Sequence, residues 1–237
     1  MAQHIFKTPL IKAQFVKRYK RFFVDATLDD GTVITSHTNN TGSMKGLLEN
    51  SPSAYFTPNN DPKRKLKFAF EMVDNGTSLV GVNTSVPNSL VFDSIVAGDV
   101  PELTGYAHAK REVKYGKEGK SRIDVYLSDD NKPDCYVEVK NTTLKVGDQA
   151  QFPDAVTSRG TKHLEELILE VEKGNRAVMF YLAQRSDCTS FSTADNIDPL
   201  YAETLKKALK AGVEVLCYSC QLTLEKITLA KPLPLKL

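Results

Sequence analysis

The spacing of apolar residues divides the 237-residue chain into two stretches of different character. Over 1–83 the apolar positions fall in short runs broken by turn residues, the pattern of a small β module. Residues 11–19 (IKAQFVKRY) and 22–28 (FFVDATL) carry the β-branched and aromatic content of strands. Asp30-Gly31 supplies a hairpin turn into TVITSH. Further strands are expected over 53–57, 65–73 and 78–83, with Asn75-Gly76 turning between the last two. Five short strands with a helical or irregular insertion near 42–49 fit an OB-like barrel, a fold that often holds single-stranded nucleic acid. The same pattern fits other small barrels.

Over 84–237 the periodicity changes. Residues 84–98 (TSVPNSLVFDSIVAG) read as a short helix with Gly98 just past its end. Three strands are expected over 107–115, 121–128 and 134–144, separated by Gly-Lys-Glu-Gly and Asp-Asp-Asn-Lys-Pro. Two helices follow. Leu164, Leu167, Ile168 and Val171 mark the apolar face of the first, and Gly174 ends it. Asp198 caps the second, Pro199 takes its first position and Gly212 closes it. AVMFYLA between them is a buried strand by composition, and VEVLCYS follows. The order βββ-α-β-α-β gives an α/β (α+β) protein: a small barrel, then a mixed sheet flanked by helices.

Composition adds limits. A hydrophobic content of 41% and a charged content of 25% suit a globular protein. No apolar run approaches the ~20 residues that span a bilayer, and the N-terminus lacks a secretory apolar stretch. The expectation is a cytoplasmic protein without a membrane partner. Residues 1–82 hold 11 Lys+Arg against 7 Asp+Glu, or +4, and the remainder 31 − 11 = 20 against 29 − 7 = 22, or −2. A basic first third suits a phosphate-contacting module, with Lys17, Arg18, Lys20 and Arg21 as its densest group, although such an excess is common on neutral proteins. Cys217 and Cys220 form one CxxC, but on a strand residues three apart face opposite ways, which disfavours a shared metal or disulfide.

Chemistry concentrates in SRIDVYLSDDNKPDCYVEVKNTTL. Glu138 and Lys140 are two apart on one strand and share a face, while Val137 and Val139 point to the core. Asp124 lies on the strand before. Charges within a strand of Tyr and Val are costly unless paired or metal-bound. Asp124 and Glu138 offer hard oxygens to Mg²⁺ or Mn²⁺ for phosphodiester hydrolysis. Lys140 would orient water or offset transition-state charge, and Glu112 would complete the acidic cluster. This reading places 124, 138 and 140 around one solvent-open pocket. Two plainer readings stand beside it: a half-exposed strand made soluble by Glu-x-Lys, and an Asp124–Lys140 cross-strand ion pair. Arg122, and Arg159, Lys162 and His163 at the start of the following helix, would grip phosphate, or form an ordinary solvated face. GKEGKS at 116–121 is not a P-loop, because position 114 is Lys and a strand follows. No G-x-S-x-G or H-E-x-x-H occurs.

NNTGSMKGLL at 39–48, VGVNTSVPNSLV at 80–91, REVKYGKEGKSRIDVYL at 111–127, YVEVKNTTL at 136–144, FPDAVTSRGTKHLEEL at 152–167 and DPLYAETLKKALKAGVEVLCY at 198–218 together resemble the sugar fermentation stimulation protein A family. The resemblance implies an OB-like domain (1–83) joined to a PD-(D/E)xK nuclease-like domain (84–237), with that pattern on Asp124, Glu138 and Lys140. It also implies DNA binding without strong sequence preference and a role in regulating sugar (maltose) metabolism. Where the family usually shows His-Cys-Pro-Asn-Thr-Gly, this chain has His37-Thr38-Asn39-Asn40-Thr41-Gly42; Asn40, Thr41 and Gly42 are read as a structural turn. DNA binding over a nuclease-like core is the leading expectation, and an active Mg²⁺- or Mn²⁺-dependent nuclease on DNA or RNA the alternative. The oligomeric state, a dimer included, is left open.

Overall fold

A computed structural model describes residues 1–49, 52–116 and 119–237. Its first strand, β1 (Gln3–Ile5), is followed by β2 (Ile11–Tyr19), β3 (Phe23–Thr27), β4 (Val33–His37), β5 (Ser53–Pro58), β6 (Phe68–Asp74) and β7 (Leu79–Gly81). Strands β2 to β7 form one sheet in the order β4-β3-β2-β5-β6-β7, and a β4–β6 bridge at His37 and Ala69 closes the five strands β2–β6 into a barrel. Alternation drives the closure. Along β2, Ala13 and Phe15 point inward while Lys12, Gln14 and Val16 face out. Phe56 and Phe70 stack at 5.3 Å in the interior. The expected insertion near 42–49 is irregular, and its Met44 and Leu47 are buried in the barrel core. The strand expected from 65 begins at Phe68, leaving Lys65 and Lys67 outside.

The second unit contains α1 (Val86–Val96), β8 (His108–Tyr115), β9 (Ser121–Asp129), β10 (Lys132–Thr142), β11 (Leu144–Val146), β12 (Gln149–Phe152), α2 (Ser158–Glu172), β13 (Arg176–Ala183), β14 (Ser190–Thr193), α3 (Pro199–Ala211), β15 (Glu214–Leu222) and β16 (Lys226–Pro232). Seven strands make the main sheet in the order β1-β16-β15-β13-β10-β9-β8. Residues 3–5, expected with the barrel, therefore pair antiparallel with β16 at the edge of the large sheet. The turn expected around Gly116–Gly119 includes residues 117 and 118, which lie outside the described residues.

β13 is apolar on both faces because both are covered: Val178, Phe180 and Leu182 enter one core with α1, while Met179 and Tyr181 enter another with α2 and α3. Cys217 packs in the second core and Cys220 in the first, and all four cysteines are free and buried. The helix signals hold in detail. Thr157 accepts from Gly160 N at 3.0 Å, and Asp198 accepts from Tyr201 N at 3.0 Å and from Thr157 N at 2.8 Å, tying the starts of α2 and α3 together. Gly212 takes a left-handed φ of 103°. The small sheet β11-β12-β14 went unread in the pattern, because QAQF and SFST are polar segments buried through one another.

Asp154 is one of the ties between the two units. Ser43 Oγ donates to Asp154 O at 2.7 Å and Met44 N to its carboxylate at 3.0 Å. Arg18, one of the expected phosphate contacts, instead donates to Asn40 O and Gly42 O at 2.7 Å each. A Cβ at Gly42 would meet the Asp154 carboxylate oxygens at 2.7 and 2.8 Å. Gly42→Val is therefore expected to cost about 1–3 kcal/mol by overpacking, read as a lowered thermal midpoint; an unchanged midpoint would mean that the junction gives way freely.

Candidate functional site

The β9–β10 ladder runs as far as Val125–Val137. Past it, the amide of Val139 donates to Asp124 Oδ2 at 2.7 Å, so a side chain takes a backbone donor at the place where the strands cease to pair. Asp124 Oδ1 accepts from Asn88 Nδ2 at 2.5 Å. Asn88, on α1, was not singled out from the sequence. Its signal was a polar residue at the start of a helix that otherwise buries Val86, Leu90 and Val91.

Glu138 sits in the adjoining strand and is 2% exposed. Its Oε1 accepts from Lys140 Nζ at 2.5 Å and contacts His163 Nδ1 from α2. Lys140 and His163 lie 3.2 Å apart, and Arg159 Nε reaches His163 Nε2 at 3.3 Å. Glu138 and Lys140 share one face, as their spacing requires, with Val137 and Val139 in the core behind. The alternative of an Asp124–Lys140 ion pair is not what forms; Lys140 pairs with Glu138.

The other oxygen of Glu138, Oε2, is buried without a hydrogen-bond partner among the described residues, as are Glu166 Oε2 and the Tyr115 hydroxyl. Burial pushes Tyr115 well up, with further contributions from Glu138, Glu166 and Asp124, so these groups share an electrostatic enclave. Burial, followed by the charge of Glu138, lifts Asp124 to about 7, against the pull of the Val139 amide and Lys140. Burial acts the same way on Glu138, but Lys140 and His163 outweigh it and hold that carboxyl below its usual value. One carboxylate is thus kept charged, while its neighbour is poised to ionise near neutrality.

A cavity of about 480 Å³ opens on Asp124, with Asn88, Glu112, Arg122, Lys162 and His163 among its walls. Glu138 and Lys140 do not line it. The pocket expected to hold all three shows only Asp124, because the Glu138 carboxylate is closed over by Lys140 and by His163, itself 5% exposed. His163 accordingly faces inward rather than toward solvent. Glu112, with a left-handed φ of 55°, is exposed at the rim and adds its charge to Asp124. Arg122 donates to Glu112 O at 3.3 Å, and Lys162 reaches Ser121 Oγ at 3.2 Å and Glu166 at 3.4 Å. Lys17, Lys20 and Arg21 lie on and after β2, away from this cavity. Lys17 pairs with Asp25 at 3.7 Å, and Lys20 and Arg21 take positive φ in the β2–β3 turn.

Two carboxylates on adjacent strands suit a small hard cation. Among the described residues no group of three or more His, Cys, Asp or Glu side chains is arranged to hold a metal. Mg²⁺ commonly needs only one or two carboxylates, with water and substrate oxygens completing its shell. The partnerless Glu138 Oε2 beside Asp124 fits that demand.

An OB barrel joined to a restriction-endonuclease-like sheet with paired carboxylates and a lysine defines the class of this protein. The family model described as "SfsA N-terminal OB domain" matches residues 16–82, and "Sugar fermentation stimulation protein RE domain" matches 85–226. A sugar fermentation stimulation protein homolog of Paramagnetospirillum magneticum is 50% identical, covering 98% of each chain. One of Roseobacter denitrificans is 47% identical over 98% of this chain and 99% of its own. The solved structure of Pyrococcus furiosus SfsA in complex with Ca²⁺ superposes with a TM-score of 0.89 at 25% identity, each chain fully covered. The chain belongs to the sugar fermentation stimulation protein family.

Proposed function

We propose that this protein binds nucleic acid across the Asp124 cavity and hydrolyses its phosphodiester bonds with the help of Mg²⁺ or Mn²⁺. The observation that carries the reading is the buried Oε2 of Glu138, without a partner among the described residues, next to an Asp124 poised near 7. The archaeal relative solved with Ca²⁺ supports a divalent ion. Asp124 and Glu138 would hold the cation, which when bound polarises the scissile phosphate and acidifies a water. Asn88 and the Val139 amide fix the rotamer of Asp124. Lys140 neutralises Glu138 and would offset charge on the phosphate if Glu138 were engaged with a cation. His163, held against Glu138 and contacted by Arg159, covers that carboxylate and would have to give way for a cation to reach it. Arg122, Arg159 and Lys162 bring positive charge to the rim and would position the backbone.

DNA is the preferred partner and RNA the second, and regulation of sugar metabolism would follow from DNA binding. Four buried free cysteines suit a reducing cytoplasm; no helix among the described residues is long and apolar enough to cross a membrane.

The test uses end-labelled DNA and RNA, single- and double-stranded, with Mg²⁺, Mn²⁺ or EDTA. Metal-dependent cleavage is expected. Binding should weaken with salt, and Arg122→Ala and Lys162→Ala should each flatten the log K against log [salt] slope by roughly 0.7–0.9. Binding that is insensitive to salt and to both variants would remove the rim from the interface. Binding without cleavage under every metal would reduce the acidic pair to a relic inside a DNA-binding protein.

A further inference from the structure

Between the barrel and the large sheet lies a second cavity, of about 440 Å³, which the acidic site does not use. One wall is residues 39–42 of the barrel, and the other is residues 151–157, which lead into α2. Both walls are fixed by the contacts of the junction: Asp154 holds Met44 and Ser43, and Arg18 holds the carbonyls of Asn40 and Gly42. The cleft is therefore preformed.

Its lining has a particular chemistry. Asn141 accepts from Gln184 at 2.9 Å through Oδ1, leaving its amide nitrogen without a partner among the described residues. Gln151 donates to Ser192 at 3.0 Å, leaving its Oε1 likewise without one. Thr143 is 5% exposed, and its hydroxyl makes no hydrogen bond to the described residues. These three supply an uncharged donor, an acceptor and a hydroxyl that serves as either. Phe152 adds an aromatic ring, anchored against Tyr181 and Tyr201 at 5.4 and 5.1 Å. Arg21 at the mouth has no acidic partner among the described residues.

We propose that this cleft binds a nucleobase, either an unpaired base of a bound strand or the base of a free nucleotide. A planar heterocycle needs neutral donors and acceptors at its edge and an apolar or aromatic face, and the cleft offers both. A single arginine suits one phosphate and not a polyanion. A bare sugar would want several carboxylates, and the described lining of the cleft holds one, Asp154, whose Oδ2 already accepts from the Met44 amide. The volume lies in the ordinary range for small-ligand sites. Asn141 directly follows Lys140 on β10, so the cleft and the acidic site occupy opposite faces of one strand end. For a base of a bound strand, the backbone would have to pass from Asp124 round the end of β10 to enter the cleft. In that form the inference rests on the proposed function; in the free-nucleotide form it does not.

The test titrates metal-free full-length protein with the four nucleoside 5′-monophosphates by calorimetry, and with single-stranded oligonucleotides carrying one 2-aminopurine by fluorescence. Saturable binding of at least one probe is expected, weakened about tenfold or more by Thr143→Val combined with Gln151→Leu. Val156→Trp, at a rim position 76% exposed, blocks the mouth without touching the core and replaces the double variant if that fails to fold. Response to mononucleotides points to a free effector, and response to the strand alone to a substrate base. Absence of saturable binding for all probes, or binding equal in the wild type and these variants, overturns the proposal, whether or not the acidic site cleaves anything.

Discussion

Cleavage by the Glu138→Gln protein is expected to fall by at least ~10²–10³-fold, the scale of losing one electrostatic contributor to a transition state, with its fold intact. Glutamine keeps an oxygen where Lys140 donates at 2.5 Å, so the lysine retains an acceptor while the anionic oxygens that would face a cation are lost. Glu138→Ala is the instructive contrast. It strips Lys140 and His163 of their shared partner inside the protein and should cost about 3–5 kcal/mol. Initial rates with Mn²⁺, set beside thermal melting of both variants, separate lost chemistry from lost structure. Wild-type cleavage rates in the Glu138→Gln variant would leave Glu138 with a purely structural role.

The second large effect concerns Asp124 and pH. Burial and the neighbouring Glu138 raise its carboxyl from the ordinary acid range to about 7. The folded state then holds its proton more tightly than the unfolded state. Without metal, this group's contribution to stability is constant below about pH 4, declines as pH rises from about 4 to 7, and is constant again above. A shift of about three units sets the scale at up to ~4 kcal/mol, and relaxation of the site reduces it to on the order of 2–3. Asp124→Asn removes the penalty while retaining an acceptor for the Val139 amide. In EDTA the variant should therefore melt higher than wild type at pH 8, and the gap should shrink to about a third by pH 5 and close near pH 4. Divalent cation should narrow the gap at pH 8 by stabilising only the wild type. Parallel melting curves across that pH range would mean that Asp124 ionises as an ordinary surface acid.

How much of this was legible in the chain depends on whether the deciding contacts are local. The caps at Asp198 and Gly212, the strand over 11–19 and the buried strand AVMFYLA rest on local signals, and each appears where the sequence placed it. The shared face of Glu138 and Lys140 follows from strand geometry alone. What sits on that face does not. His163 was legible as a residue near the start of α2, but only the packing of α2 over β10 turns it onto Glu138. Arg18 stood in the densest basic run, and only the fold shows it spent on the carbonyls of a loop more than twenty residues away. Asn88 and the β11-β12-β14 sheet were missed for the same reason, since polar residues buried against partners distant in sequence carry no periodicity.

The account stands on a divalent cation lying between Asp124 and Glu138. Anomalous scattering from crystals soaked in Mn²⁺ near pH 8 measures this directly. The predicted result is one strong peak within about 2.0–2.3 Å of an oxygen from each carboxylate, with His163 moved away from Glu138. Crystals that take up Mn²⁺ elsewhere, or not at all, while His163 stays seated on Glu138 would contradict it.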